Sequence, residues 1–246
     1  MKKNILIVIA LLVLSSVFTF AKVTQLNYKA TFGIFGTVGT IQNVLTQKKK
    51  TYEIQTKVKL AGLAKMIMGG QTEVYTSKGH MQNGLMISDD YIMTSTKKGK
   101  IEKKIYHINH QKKYVSKRYQ KWMDGKLVEE KKEKLPFYAK DDLLTLYFNL
   151  GHAIKEKGKT YLFKAVGLEK QQGKVYISVP KDTKNASYKR DLGKGASLYA
   201  KALIHQKNFR KKKGDILLAV GKDGFIQKSV IKDVLLYGDA KLIRTK

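Results

Sequence analysis

The chain has 246 residues and a formal net charge of +30, from 49 Lys and Arg against 19 Asp and Glu. It contains no cysteine, which excludes disulfide bonds, thiolate catalysis and cysteine-based zinc clusters. With two prolines and no low-complexity tract, no Pro-rich linker divides the chain, so one domain is the simpler prediction.

Residues 1–21 have the order of a cleavable secretory signal peptide. Two lysines follow the first methionine, Ile5–Phe18 is an apolar run broken by two serines, and Thr19-Phe20-Ala21 places small residues where signal peptidase cuts. The alternative is an uncleaved membrane anchor, because the 18 uncharged residues Asn4–Ala21 reach the short limit for spanning a bilayer. The cleavage site and the strand-like sequence after it favour removal. We therefore expect a periplasmic mature protein of residues 22–246, without a lipid anchor or transmembrane segment.

The charge of the mature chain bears on its partners. Removal of residues 1–21 takes away two lysines and leaves a net charge of +28. In a cytoplasmic protein this excess would indicate nucleic acid, but in an exported protein it favours anionic lipid head groups, lipopolysaccharide or another envelope polyanion. We expect no nucleic acid partner. The alternative is that lysines on exposed strands only keep the sheet edges soluble.

The first half of the mature chain is predicted to be a succession of β-strands. Residues 52–60 alternate apolar and polar side chains, the pattern of a half-buried strand. The turns at Lys98-Gly99 and Asp124-Gly125 are too short for parallel crossovers, so neighbouring strands are expected to be antiparallel. The other predicted strands of this half are Val23–Phe32, Thr37–Gln47, Gln71–Ser77, Gly84–Thr96, Ile101–Asn109, Lys113–Trp122 and Lys126–Leu135.

Residues 61–68 are predicted to form a short helix, ended by Gly69-Gly70, in a region rich in methionine. Five of the six mature methionines lie between Met66 and Met93. Methionine is common on surfaces that accept variable apolar ligands, so Met66 and Met68 are candidate ligand-binding residues. Filling of the core is the alternative use of these side chains.

Basic and aromatic residues interleave between Lys97 and Lys134. Three tyrosines and Trp122 lie there among 14 Lys and Arg. Such a surface can stack planar rings and hold phosphates, which makes Trp122 a candidate ligand contact. A pair of twisted hairpins, with aromatic side chains inward and lysines outward, is the alternative.

Residues 141–154 depart from the strand pattern. They are apolar around most of a helical circumference, with Asp141 or Asp142 at the N-cap position. The polar residues form one narrow stripe, made of Asp142, Thr145, Asn149 and His152. A helix of this kind has to be enclosed on several sides. We therefore predict a mainly β (α+β) fold, in which a curved antiparallel sheet or incomplete barrel wraps this one helix.

The rest of the chain returns to strands. The predicted strands are Thr160–Val166, Lys174–Val179, Ser197–Gln206, Asp215–Val220 and Gly224–Tyr237. Between the second and third of these, the polar, glycine-containing stretch Pro180–Gly195 is predicted to be a long loop.

Familiar catalytic patterns are missing from the sequence. It has no GxSxG or HExxH motif, and its acidic pairs are adjacent, so their carboxylates diverge in an extended chain. His107 and His110 form the only close histidine pair. Their odd separation puts them on opposite faces of a strand unless the turn at Asn109 reorients one of them. We expect no catalytic residue, no metal and no cofactor, and hence no enzyme.

Three stretches of the chain resemble a family of exported bacterial proteins, domain of unknown function 3108. They are residues 26–36 (LNYKATFGIFG), residues 141–150 (DDLLTLYFNL) and the strand pair around residues 214–224. The family looks like the periplasmic lipoprotein-carrier superfold, in which an incomplete antiparallel barrel wraps a helix and leaves an apolar groove. The resemblance implies this architecture, but it carries over no reaction and no site residue.

Two functional hypotheses follow. In the first, the protein binds a lipid-like or acyl-bearing envelope component, such as a lipopolysaccharide-like anionic amphiphile, with lysines at the rim meeting the head group. The candidate ligand-binding residues are Met66, Met68, Trp122, Leu146 and Phe148. In the second, it is a non-enzymatic scaffold of envelope assembly that contacts a protein or an anionic polymer.

Overall fold

The computed structural model describes residues 21–62, 65, 70–182, 186–204, 214–234 and 238–245. Within these residues, fifteen strands form one continuous sheet, on which the helices α1 (Leu143–Ala153) and α2 (Ala186–Leu192) pack. The strands are β1 (Lys22–Phe32), β2 (Thr37–Gln47), β3 (Thr51–Leu60), β4 (Thr72–Gln82), β5 (Leu85–Lys97), β6 (Lys100–Asn109), β7 (Tyr114–Met123), β8 (Lys126–Lys134), β9 (Asp141–Asp142), β10 (Thr160–Val166), β11 (Lys174–Ser178), β12 (Leu198–Ile204), β13 (Gly214–Val220), β14 (Ile226–Val234) and β15 (Gly238–Arg244).

The sheet consists of two meanders joined in the middle. Its strand order is β8-β7-β6-β5-β4-β3-β2-β1-β15-β14-β13-β12-β11-β10-β9. Neighbouring strands are antiparallel except β9 and β10, which are parallel. β1 lies beside β15, with Tyr28 opposite Arg244. The two meanders therefore meet where the first strand pairs with the last.

Helix α1 packs against both meanders. Phe148 is fully buried in a cluster with Leu26 of β1 and Ile54 of β3. Leu146 and Leu150 instead belong to a cluster formed with β10–β14. Because opposite sides of one helix contact strands from both meanders, the sheet has to curve around it. The predicted mainly β fold, a curved antiparallel sheet around one mostly apolar helix, is confirmed.

Side-chain alternation sets which face of each strand is inside. Along β3, Tyr52, Ile54 and Thr56 are buried, whereas the residues between them are half-buried or exposed. Successive side chains of a strand point to opposite faces, so the period of two in the sequence becomes one inner face and one outer face.

The short hairpin turns have the backbone that the sequence predicts. Both Lys98 and Gly99 have positive φ, and so do both Asp124 and Gly125. Two-residue turns of this kind match the right-handed twist of the flanking strands and bring the chain straight back. The antiparallel hairpins β5–β6 and β7–β8 follow from this local geometry.

Helix α2 corrects one sequence prediction. The stretch Pro180–Gly195 was expected to be a loop, but its residues 186–192 are helical. Tyr188 and Leu192 are four residues apart and share one side of the helix, which packs on Tyr199 and Val230. Strands β13 and β14 are consequently covered on both faces, by α1 on the inside and by α2 on the outside.

The last strand was also missed. The sequence prediction ended its final strand at Tyr237, whereas β15 (Gly238–Arg244) pairs with both β14 and β1.

None of the helices in the described part of the chain has the length and apolar character needed to cross a membrane.

Candidate functional site

Helix α1 begins at a fully buried carboxylate. Asp142 is the N-cap: its Oδ1 accepts hydrogen bonds from the backbone N–H of Leu144 at 2.7 Å and of Thr145 at 2.9 Å. These bonds satisfy two of the backbone donors that a helix N-terminus leaves free. The predicted N-cap at Asp141 or Asp142 is confirmed, with Asp142 as the residue.

The second oxygen of this carboxylate ties the helix to the sheet. Asp142 Oδ2 accepts from Ser77 Oγ of β4 at 2.6 Å and from Thr145 Oγ1 at 2.8 Å. The hydroxyl of Tyr52, on β3, lies 2.7 Å from Thr145 Oγ1 and 3.2 Å from Ser77 Oγ. Burial raises the pKa of both Asp142 and Tyr52 above their ordinary values. This closed polar cluster fixes the start of α1 on the inner face of the sheet.

The carboxylate next to it is buried without this support. The Asp141 side chain is 4% exposed, and its Oδ1 has no hydrogen-bond partner among the described residues. Burial raises the pKa of Asp141 to about 7; the Lys140 charge opposes this effect and the Asp142 charge adds to it. Neither carboxylate lines the apolar groove described next.

An apolar groove of about 200 Å³ lies between α1 and strands β11–β14. Its lining is almost entirely aliphatic. The helix contributes Leu143, Leu146, Tyr147 and Leu150, and the strands contribute Val175, Ile177, Ala202, Ile216, Leu218, Ile226, Ser229 and Ile231. The strand residues reach the groove because alternate positions share the inner face: Ile216 of β13 pairs with Ile231 of β14, and Leu218 with Ser229.

Two hydroxyl groups belong to residues of this lining. One is Ser229, and the other is Tyr147, whose hydroxyl oxygen is buried and has no hydrogen-bond partner within the described ranges. The Tyr28 hydroxyl, which interacts with it electrostatically, donates its own hydrogen bond to the Ile226 carbonyl at 2.8 Å. The Tyr147 hydroxyl is thus directed toward Tyr28 of β1.

The structure brings together only part of the predicted ligand-binding set. Leu146 lines the groove, but Phe148 is fully buried on another side of α1, in contact with the first meander. Trp122 lies on β7 opposite Ile101, and it is an odd number of residues from the buried Val115, so it is on the outer face of the sheet. Trp122 is therefore not part of the groove.

Met66 and Met68 lie outside the described residues, as do residues 1–20 of the predicted signal peptide.

Sequence reasoning missed the groove residues contributed by β11–β14. The alternation of Val175 with Ile177, and of Ile216 with Leu218, was readable as a strand face. This alternation does not show that the strand faces remain partly uncovered beside α1, because the exposure of these faces depends on how the sheet curves.

The predicted opposite orientations of His107 and His110 correspond to different partners. His107 Nδ1 lies 3.0 Å from Asp90 Oδ1. His110, in the turn after β6, has its Nε2 2.8 Å from the Ser88 carbonyl oxygen and 3.2 Å from Asp89 Oδ1.

Comparison with known proteins places the chain near one solved structure. This is the crystal structure of a beta-barrel-like protein of domain of unknown function DUF1849 from Brucella abortus. The two chains are 11% identical, the match covers 92% of this chain and 95% of that one, and the TM-score is 0.46. No model of a known family matches the chain, and no curated protein does either. The resemblance to domain of unknown function 3108 therefore stays a prediction.

Proposed function

We propose that this protein is an exported binding protein that holds the apolar part of a lipid-like or acyl-bearing envelope molecule beneath α1. The observation that carries the proposal is the groove, in which ten of twelve lining residues are aliphatic. Several of them, including Leu143, Ile216 and Ile231, are only half-buried. Covering such residues with an apolar ligand is favourable by about 25 cal/mol for each Å² removed from water.

The size of the groove limits what it holds. Sites that enclose a drug-sized ligand have volumes of about 300–1,000 Å³, and this groove, at about 200 Å³, is smaller. It suits one segment of an acyl chain rather than a whole lipid, with the remainder of the ligand outside.

Export is the second part of the proposal. It is supported by the signal-like order of residues 1–21 and by the start of β1 at Lys22, directly after the predicted cleavage site. Lys22 is already paired with Gln47 of β2.

Native mass spectrometry of the mature protein, purified from its own envelope, tests the binding function. We expect the measured mass to exceed that of the chain by the mass of a bound apolar molecule. A fluorescent fatty acyl probe should bind to the protein freed of this molecule, and adding the extracted molecule back should displace the probe. Protein that carries no added mass and leaves the probe fluorescence unchanged would contradict the proposal. A probe that binds while no natural ligand co-purifies would support the groove and leave export to be tested by cell fractionation.

A second candidate function is favoured by a basic concave surface on the other meander. Its cavity of about 500 Å³ is lined partly by Lys29 of β1 and by Lys57 and Lys59 of β3. These lysines flank the β2 residues Thr40 and Gln42, which are their direct neighbours in the sheet. Within the described chain, none of the three has an acidic partner in an ion pair. Such a surface fits a scaffold that contacts an anionic polymer.

Binding to dextran sulfate, with neutral dextran as the reference, tests this alternative. Replacing Lys29, Lys57 and Lys59 with Gln should weaken binding more than replacing Lys48, Lys49 and Lys50, which removes the same charge elsewhere. Equal losses from both triple variants would show that net charge alone attracts the polymer.

A further inference from the structure

Two histidines and one aspartate converge at one end of the neighbouring strands β4, β5 and β6. His80 is on β4, Asp89 is on β5, and His110 is in the turn between β6 and β7. His80 Nδ1 lies 3.0 Å from Asp89 Oδ1, and His110 Nε2 lies 3.2 Å from the same oxygen. One donor atom from each of the three residues lies within 4.8 Å of the other two.

A β-bulge produces this convergence. Lys78 of β4 pairs with Asp90 of β5, and Gly79 pairs with Ser88, so Asp89 is an extra residue without a partner on β4. Bulges redirect side chains in this way. The bulge also requires glycine at position 79, because a Cβ there would lie 1.9 Å from the carbonyl oxygen of Ile87.

His110 is oriented from both sides of its ring. Its Nδ1 lies 2.9 Å from the Tyr138 hydroxyl, and its Nε2 faces the Ser88 carbonyl oxygen at 2.8 Å. The His80 and His110 rings are nearly perpendicular, with centroids 5.5 Å apart. A hydrogen bond to the outer nitrogen of a histidine ring is what normally fixes a metal-binding imidazole.

We propose that His80, Asp89 and His110 bind a divalent transition metal ion, of which Zn²⁺ is the representative. Two imidazole nitrogens and a carboxylate oxygen are a donor set that suits zinc. Donors about 2.0–2.1 Å from a tetrahedral ion are separated from one another by about 3.3 Å. The separations of 3.0 and 3.2 Å around Asp89 Oδ1 are close to this value.

The surroundings leave room for the remaining ligands. The three side chains are 26–40% exposed, so an ion and a water molecule can reach them from solvent. The Ser88 carbonyl oxygen lies on the same side of His110 and is a candidate fourth ligand. Zinc on Nε2 would move the ring proton to Nδ1, from which it can be donated to the Tyr138 oxygen.

The sequence expectation of no metal site rested on the missing cysteines and on the divergent pair His107 and His110. In the structure, the histidine beside His110 is His80, which is distant in sequence, and not His107. Among the described residues, His107 instead pairs with Asp90, at 3.0 Å; Asp90 directly follows Asp89 on β5. This second histidine–aspartate pair has one imidazole and is more exposed, which makes it a matched control.

Calorimetric titration of the untagged protein with ZnCl₂ tests the proposal. We expect one Zn²⁺ per chain, and a loss of affinity of at least ten-fold in each of His80→Ala, Asp89→Asn and His110→Ala. His107→Ala and Asp90→Asn should bind Zn²⁺ as the unmodified protein does. Failure of the unmodified protein to bind, or equal losses in the His107 and Asp90 variants, would overturn the assignment.

Two further measurements guard against misfolded variants. Tyr138→Phe retains all three ligands and removes only the hydrogen-bond partner of His110 Nδ1, so it should fold and weaken binding by about ten-fold or more. In the unmodified protein, imidazole ¹⁵N chemical shifts should change on Zn²⁺ addition at His80 Nδ1 and His110 Nε2. Shifts confined to other histidines would exclude this site.

Discussion

Asn149 of α1 uses its side-chain amide to form both hydrogen bonds that a neighbouring strand would offer to Met86 of β5. Its Nδ2 donates to the Met86 carbonyl at 2.7 Å, and its Oδ1 accepts from the Met86 N–H at 3.1 Å. Both residues are buried. The polar stripe of the helix is therefore largely an inward-facing docking surface: Asp142, Thr145 and Asn149 are buried, whereas His152 is exposed.

Asn149→Leu should destabilise the protein by about 2–4 kcal/mol, because each buried backbone group left unpaired costs about 1–3 kcal/mol. Urea unfolding monitored by circular dichroism measures this loss. The control is His152→Ala on the same helix, which should cost less than about 1 kcal/mol because the side chain is exposed. Equal losses in both variants would contradict the docking role of Asn149.

Asp142→Ala should be more harmful than Asp142→Asn. Alanine removes the N-cap acceptor and leaves Ser77 and Thr145 without the carboxylate, at a cost of about 2–4 kcal/mol. Asparagine keeps an oxygen for the backbone N–H groups of Leu144 and Thr145, and the hydroxyls can rotate to accept from its amide. The same unfolding assay gives both values, and a similar loss in both variants would argue against the capping role.

The raised pKa of Asp141 makes stability depend on pH. Since its pKa is 3.8 ordinarily and about 7 in the folded protein, the folded state holds a proton that the unfolded state releases between these values. The unfolding free energy should therefore fall as the pH rises from about 4 to 7 and then level off. The total change corresponds to roughly 4 kcal/mol.

Asp141→Asn has the shape of the protonated carboxyl group and isolates this effect. Its unfolding free energy should match that of the unmodified protein near pH 4 and exceed it increasingly up to pH 7. Chemical denaturation at several pH values measures the difference between the two proteins. A constant difference across this range would show that Asp141 does not titrate in it.

Ile231→Asp places a charge on the half-buried rim of the groove and should weaken binding of an acyl probe by at least ten-fold. The physical reason is that an apolar ligand cannot solvate the carboxylate. Ile243→Asp is the matched control, since Ile243 is 38% exposed and absent from the groove lining. Probe fluorescence measures both, and a loss of affinity in the control variant alone would place the binding surface elsewhere.

Local sequence signals predicted most of the sheet. Strands β2 and β10 have the bounds expected from alternation, and the turns Lys98-Gly99 and Asp124-Gly125 are where predicted. The first and last residues of helix α1 are each within two positions of the expected bounds, 141 and 154. These features depend on residues close in sequence, so periodicity, capping and turn chemistry are sufficient to locate them.

Features that depend on distant residues could not be predicted in this way. Helix α2 gains its stability from packing Leu192 on Val230, and β15 from pairing with β1. The groove needs the curvature of the whole sheet. The proposed metal site needs a one-residue bulge to turn Asp89 toward His80 and His110. The isolated Gly79 is a signal of that bulge, but it does not show which side chains the bulge brings together.

The pairing of β1 with β15 has a consequence for biosynthesis. The hydrogen bond from the Tyr28 hydroxyl to the Ile226 carbonyl spans 198 residues, and the paired residues of β1 and β15 are even farther apart in sequence. During translation, β1 lacks its partner β15 until this last strand has been synthesised. Contacts of such long range make folding slow. For the export that we propose, such a delay would keep the sheet open while the chain crosses the membrane.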